Sequence, residues 1–133
     1  MRKAVFHEEP KILEVHFDER VELKDLLDAF ALYEDSRFTP AHDVLFDGTG
    51  STLHFGHDAF EHVQSTFGDR NKRGVGTRTA IVLDSMLQRM IVGDARTVRA
   101  DWGTNWRFFT TRQEAWRWLI EEDDVPPDFP QTV

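Results

Sequence analysis

An α/β domain with a mixed sheet is the fold class this sequence predicts, and three observations predict it. Two strand-like runs open the chain on either side of a Glu-Glu-Pro turn. Short apolar runs, DVLFD at 43–47 and TAIVLD at 79–84, stand between segments with helical spacing. The resulting order, ββαβαβαβα, alternates strand with helix. That implies parallel central strands joined by right-handed crossovers, with the opening hairpin as an antiparallel edge.

The hairpin strands are KAVFH (3–7) and KILEVHFD (11–18). In the second, Leu13, Val15 and Phe17 alternate with Glu14, His16 and Asp18, the period of a strand with one buried face. Leu23, Leu26, Leu27 and Phe30 then follow the three-and-four spacing of an amphipathic helix, which should end near Ser36, before Pro40. DVLFD reads as a buried strand. A Gly/Thr/Ser loop (48–52) leads to a second helix from about His57, with Phe60, Val63 and Phe67 on one face; Gly68 and the basic loop RNKRGVG end it. TAIVLD is the clearest buried strand. Ser85 can cap a third helix in which Leu87, Ile91, Ala95, Val98 and Trp102 share a face. Trp106 to Phe109 form the last strand. Thr111 and Glu114 then make a Thr-x-x-Glu capping box opening a helix with Ala115, Trp118 and Leu119 inward. Residues 1–122 are expected to form one domain, and the acidic, Pro-rich 123–133 a flexible tail.

Composition narrows the function classes. The chain has 133 residues, with eleven Phe and four Trp to fill a core. It has no cysteine, which removes disulfides, thiolate zinc sites, iron–sulfur clusters and cysteine nucleophiles. No apolar run approaches the roughly 18 residues of a membrane span, and the N-terminal MRKAVFHEEP lacks a signal-peptide core, so a cytoplasmic location away from membranes is expected. The net charge is −8: residues 1–69 carry −9, residues 70–112 carry +6 and residues 113–133 carry −5. An acidic chain repels phosphate backbones, which argues against nucleic acid as a partner. The basic middle either meets an anion or neutralises the acidic part of the same fold.

The stretch from Arg78 to Leu119 reads R-x-A-I-V-L-D, a helix of about 16 residues, W-R-F-F-T, then E-A-W-R-W-L. It resembles the C-terminal half of the SpoIIAA-like proteins, members of the STAS (anti-sigma-factor antagonist) fold. The matching ending is supplied by Phe109, Thr110, Thr111, Glu114, Ala115, Trp118 and Leu119. The hairpin, first helix and V-L-F-D strand fall in the corresponding order, so the resemblance covers residues 3–120. It implies a single-domain STAS-like fold and a small bacterial-type regulatory or protein-interaction module. STAS phospho-switch proteins carry a D-S-S-G-like turn whose Ser is phosphorylated. Here the corresponding turn is H-F-G-H-D (54–58), with no Ser or Thr beside the Gly; Thr49, Ser51 and Thr52 lie earlier in the loop. The resemblance is therefore to the branch that lacks the switch serine and has no assigned activity.

Several constellations are candidates for chemistry. Open α/β sheets take ligands beyond the carboxyl ends of parallel strands. There Asp47, Thr49 and Ser51 follow one strand, and Asp84, Ser85 and Arg89 the next, a candidate site for an anionic or apolar small molecule. The simpler reading is that Asp84 or Ser85 caps the helix and Asp47 organises its turn. Gly48-Thr49-Gly50 lacks the Gly-Lys-Ser/Thr ending of a phosphate loop. His54, His57 and His62 cluster with Asp58 and Glu61; His57 and Glu61 stand one helical turn apart, weak candidates for a metal with His54. No cofactor is expected. Ser51 or Ser85 with a nearby His lacks the G-x-S-x-G frame of a hydrolase. His7 and His16 lie on hairpin strands without visible partners. Trp116 falls on a different helical face from Trp118, and Met86 and Met90 can line an adaptable apolar contact. These three residues are the candidate surface for a protein partner or a second copy of the chain. The readings therefore rank as non-enzymatic interaction module first, small-molecule receptor second, and metal-dependent enzyme third.

Overall fold

The computed structural model describes residues 1–56, 58–68, 78–93 and 105–121. In chain order the elements are β1 (Lys3–Glu8), β2 (Lys11–His16), β3 (Arg20–Val21), α1 (Leu23–Ala31) with a 3-10 turn (Leu32–Glu34), β4 (Asp43–Asp47), β5 (Thr52–Leu53), α2 (Ala59–Phe67), β6 (Thr79–Val82), α3 (Met86–Gly93), β7 (Trp106–Phe109) and α4 (Arg112–Ile120). β1 and β2 pair antiparallel; β4, β6 and β7 then add in parallel, giving the order β1-β2-β4-β6-β7. The fold is thus α/β with a mixed sheet. β3 and β5 make a separate two-stranded parallel ribbon, Arg20 opposite Thr52 and Val21 opposite Leu53.

Each parallel strand is added on the same side of the one before it. Right-handed crossovers then carry the intervening helices to one face of the sheet. Leu26, Ala29 and Phe30 of α1, with Ala59, Phe60 and Val63 of α2, accordingly pack with Leu13, Val15, Val44, Phe46, Ile81 and Phe108. After the last strand the chain turns the other way. Ala115 and Leu119 of α4 cover Ile12, Leu45, Ala80 and Val82 on the opposite face. The predicted Thr-x-x-Glu cap is present: Thr111 Oγ1 accepts from the Glu114 N–H at 3.2 Å. At the far end of α4 the Arg78 guanidinium donates to the carbonyls of Trp118 (3.3 Å), Leu119 (2.7 Å) and Glu121 (3.2 Å), placing a cation where the helix dipole favours one.

Four expectations are corrected. The first helix stops at Ala31 and its 3-10 extension at Glu34, short of Ser36; Asp35 goes extended, and its carboxylate accepts from the Arg37 backbone and guanidinium. The second helix starts at Ala59, and His57 lies outside the described residues. In β2 both faces are covered, so Ile12, Leu13, Glu14 and Val15 are all buried. In α3, Leu87 points outward, while Ile91 is partly buried as expected, together with Gln88, Arg89, Val92 and Gly93. Polar contacts explain that placement: Gln88 Oε1 accepts from the Leu53 N–H at 2.8 Å, and Arg89 Nε donates to the Leu83 carbonyl at 3.0 Å. Ala95, Val98, Trp102 and the tail 123–133 lie outside the described residues.

Candidate functional site

The parallel register of β2 and β4 sets His16 beside Asp47 at the carboxyl ends of the two strands and Glu14 beside Leu45 two positions earlier, on the same face. Helix α4 starts at that end of the sheet and runs back over this face, which brings its first residue, Arg112, over β2. The guanidinium donates to Glu14 through Nε (2.6 Å to Oε2) and Nη2 (2.9 Å to Oε1). His7 Nε2, from β1, lies 2.9 Å from Glu14 Oε1, and His16 Nε2 lies 2.7 Å from Oε2. His16 Nδ1 stands 3.3 Å from Asp47 Oδ2. Asp47 Oδ1 accepts in turn from the Thr49 backbone N–H (3.0 Å) and hydroxyl (2.6 Å). Trp116 closes the side of the cluster, edge-on to His7 at 5.0 Å and beneath Arg112 at 4.8 Å.

Electrostatics tie the cluster together. Burial alone pushes the Glu14 carboxyl up, but the bonds from Arg112 and His7, and the positive charge of Arg112, outweigh it and hold the pKa at about 2. The Arg112 pKa is raised by the same contact.

Among the described residues, Glu14, His16 and Asp47 are the group whose ligand atoms all lie within 4.8 Å of one another, the spacing a metal ion asks for. Their orientation fits an ion-pair network better. The two carboxylates contact opposite nitrogens of the His16 ring and so do not converge on one, and Arg112 occupies both oxygens of Glu14. The arrangement fastens α4 to the hairpin.

The sheet separates the residues that the sequence grouped at the strand ends. Asp47 and Thr49 join the cluster on the α4 face. Arg89 lies on the other face, 6.0 Å from the Phe108 ring centroid and bonded to the Leu83 carbonyl. Ser51 is buried, and its hydroxyl donates to the Asp18 carbonyl at 2.7 Å. Asp84 is exposed, and Ser85 Oγ accepts from the Gln88 N–H at 3.4 Å, the capping role. His54 and Glu61 are exposed, while His62 pairs with Asp58 at 3.5 Å. Trp116, expected on the surface, is half-buried between His7 and Arg112. Met86 and Met90 are exposed.

The sequence reading missed Glu14, His7, His16 and Arg112 as a unit. One signal was available. Ile12 shares its face with Glu14 and His16, so that face of β2 was not uniformly polar.

A second feature lies on the helix face. A cavity of about 50 Å³ opens at the carboxyl ends of β4 and β6, with Phe30, Phe46 and Phe60 among its buried walls and Phe17, Leu53 and Phe55 among its half-buried ones. Comparison with protein-family models, with curated proteins and with solved structures finds no match to this chain.

Proposed function

We propose that this chain is a small cytoplasmic, STAS-like regulatory module of the bacterial type, which works by docking a protein partner on helix α3. One observation carries the reading. Met86, Leu87 and Met90, on one turn of α3, expose 53%, 67% and 54% of their surface, while the other exposed large hydrophobics among the described residues, Val5 and Ile120, stand singly on β1 and α4. Clustered apolar surface of this kind marks contact sites, and methionines adapt to a partner's shape. The partner is a protein that presents a complementary apolar patch to these three side chains. The resemblance of Arg78–Leu119 to SpoIIAA-like proteins supports the same class. So does the commitment of Glu14, His16, Asp47 and Arg89 to contacts within the fold.

A photo-crosslinking residue at position 86 tests this in cells of the source organism. The expected result is one discrete adduct that disappears in the Leu87→Asp/Met90→Asp variant. The variant's urea midpoint should correspond to less than about 0.5 kcal/mol of change, as for other surface substitutions. An adduct that survives the variant, an adduct with a second copy of the chain, or no discrete adduct would each overturn the reading.

A further inference from the structure

We infer that the cavity at the ends of β4 and β6 is a binding site for an uncharged apolar molecule no larger than a single aromatic ring. Three observations support this independently of any partner on α3. The first is the chemistry of the walls. Among the described residues no charged side chain lines the cavity, and the Trp106 indole supplies the side-chain N–H of that lining; the other described walls are aliphatic or phenyl, with Gly48 backbone. An ion or a strongly polar solute entering it would lose its hydration without replacement, whereas an apolar group loses nothing.

The second observation is position. The cavity lies beyond the carboxyl ends of two parallel strands, at Gly48 of one and Val82 and Leu83 of the next, the end at which α/β sheets receive ligands.

The third is the roof. Val21 and Leu53 close the cavity from the β3–β5 ribbon, which belongs to no strand of the main sheet. Its Leu53 N–H is tied to the Gln88 side chain of α3. The present space, about 50 Å³, is smaller than the dry apolar cavities of roughly 150 Å³ that take up benzene. A ring therefore enters by lifting this ribbon rather than by parting the sheet. Occupancy then bears on α3 through Gln88 and through Val92, which lines the cavity from that helix.

The test uses the full chain with fluorobenzene as the probe, followed by ¹⁹F NMR, and benzoate as the charged ring of the same size. Wild type should show saturable uptake of fluorobenzene, a matching rise in thermal midpoint, and no uptake of benzoate. Ala29→Leu puts three more carbons against the cavity and should weaken uptake by at least about tenfold. Leu53→Ala removes part of the roof and should tighten it, so the inference stays testable if Ala29→Leu fails to fold. No saturable uptake by either wild type or Leu53→Ala, uptake undiminished by Ala29→Leu in a folded protein, or equal uptake of benzoate would each overturn it.

Discussion

Replacing Arg112 with alanine is expected to destabilise the fold by about 2–3 kcal/mol at neutral pH. Removing one partner of a buried ion pair costs roughly 3–5 kcal/mol, because the other charge is left stranded. Here the Glu14 side chain is 4% exposed but that of Arg112 is 43% exposed, so solvent screening trims the figure. The companion variant Glu14→Gln/Arg112→Met should lose less than Arg112→Ala, since it strands no charge. The pH profile gives a separate reading. Glu14 is held at about 2 against 4.5 for a free glutamate, so its folded pKa is the depressed one. Its contribution, on the order of 3 kcal/mol, is present above about pH 4.5 and is lost as the pH falls towards 2. Urea melts between pH 2 and 7 should show the wild-type and Arg112→Ala stabilities converging at the acid end. Curves that stay parallel would show that Arg112 acts by packing on Trp116 and not through Glu14.

Gly48→Ala should cost about 2–3 kcal/mol, the price of forcing atoms into a filled space. A Cβ there would lie 2.9 Å from the Val82 carbonyl oxygen and 2.8 Å from Leu83 Cδ2. The leucine can rotate, but the carbonyl cannot, since it already accepts from the Gly48 N–H at 2.9 Å. Relief requires β4 and β6 to part at their carboxyl ends, and Asp47 stands next to that break. Gly50 is the control. Its φ of +72° favours glycine, yet nothing lies within 4 Å of a Cβ built there, so Gly50→Ala carries only the strain of about 1–2 kcal/mol for a left-handed residue. A larger loss at Gly50 than at Gly48 in urea denaturation would rule out the crowding account.

What could be read from the sequence was what periodicity and punctuation encode. The alternation in KILEVH, the apolar runs DVLF and TAIV, and the Thr111–Glu114 cap are all local signals, and each element formed where its signal lay. Leu87 was misassigned on α3 because spacing alone cannot say whether Leu87 or Gln88 faces inward. A hydrogen bond to Leu53, thirty-five residues away, decides it. Glu14 was harder still. On a strand with alternating polar positions it reads as solvated, and only the return of α4 across the sheet buries it. Its principal partner, Arg112, lies 98 positions along the chain. No window of local pattern spans that distance.

That separation also bears on the order of events in folding. Every strand of the main sheet pairs with the main-sheet strand before it in the chain, so the sheet can grow stepwise through short closures. The Glu14–Arg112 bond must wait until the last strand and helix are in place. It is then absent from the rate-limiting barrier, and Arg112→Ala should accelerate unfolding while leaving the refolding rate nearly unchanged in stopped-flow chevrons. A refolding rate that falls in proportion to the lost stability would instead date the contact to the early nucleus. As a late-closing clasp, the pair sets how long the native state lasts and has little influence on how quickly it is reached.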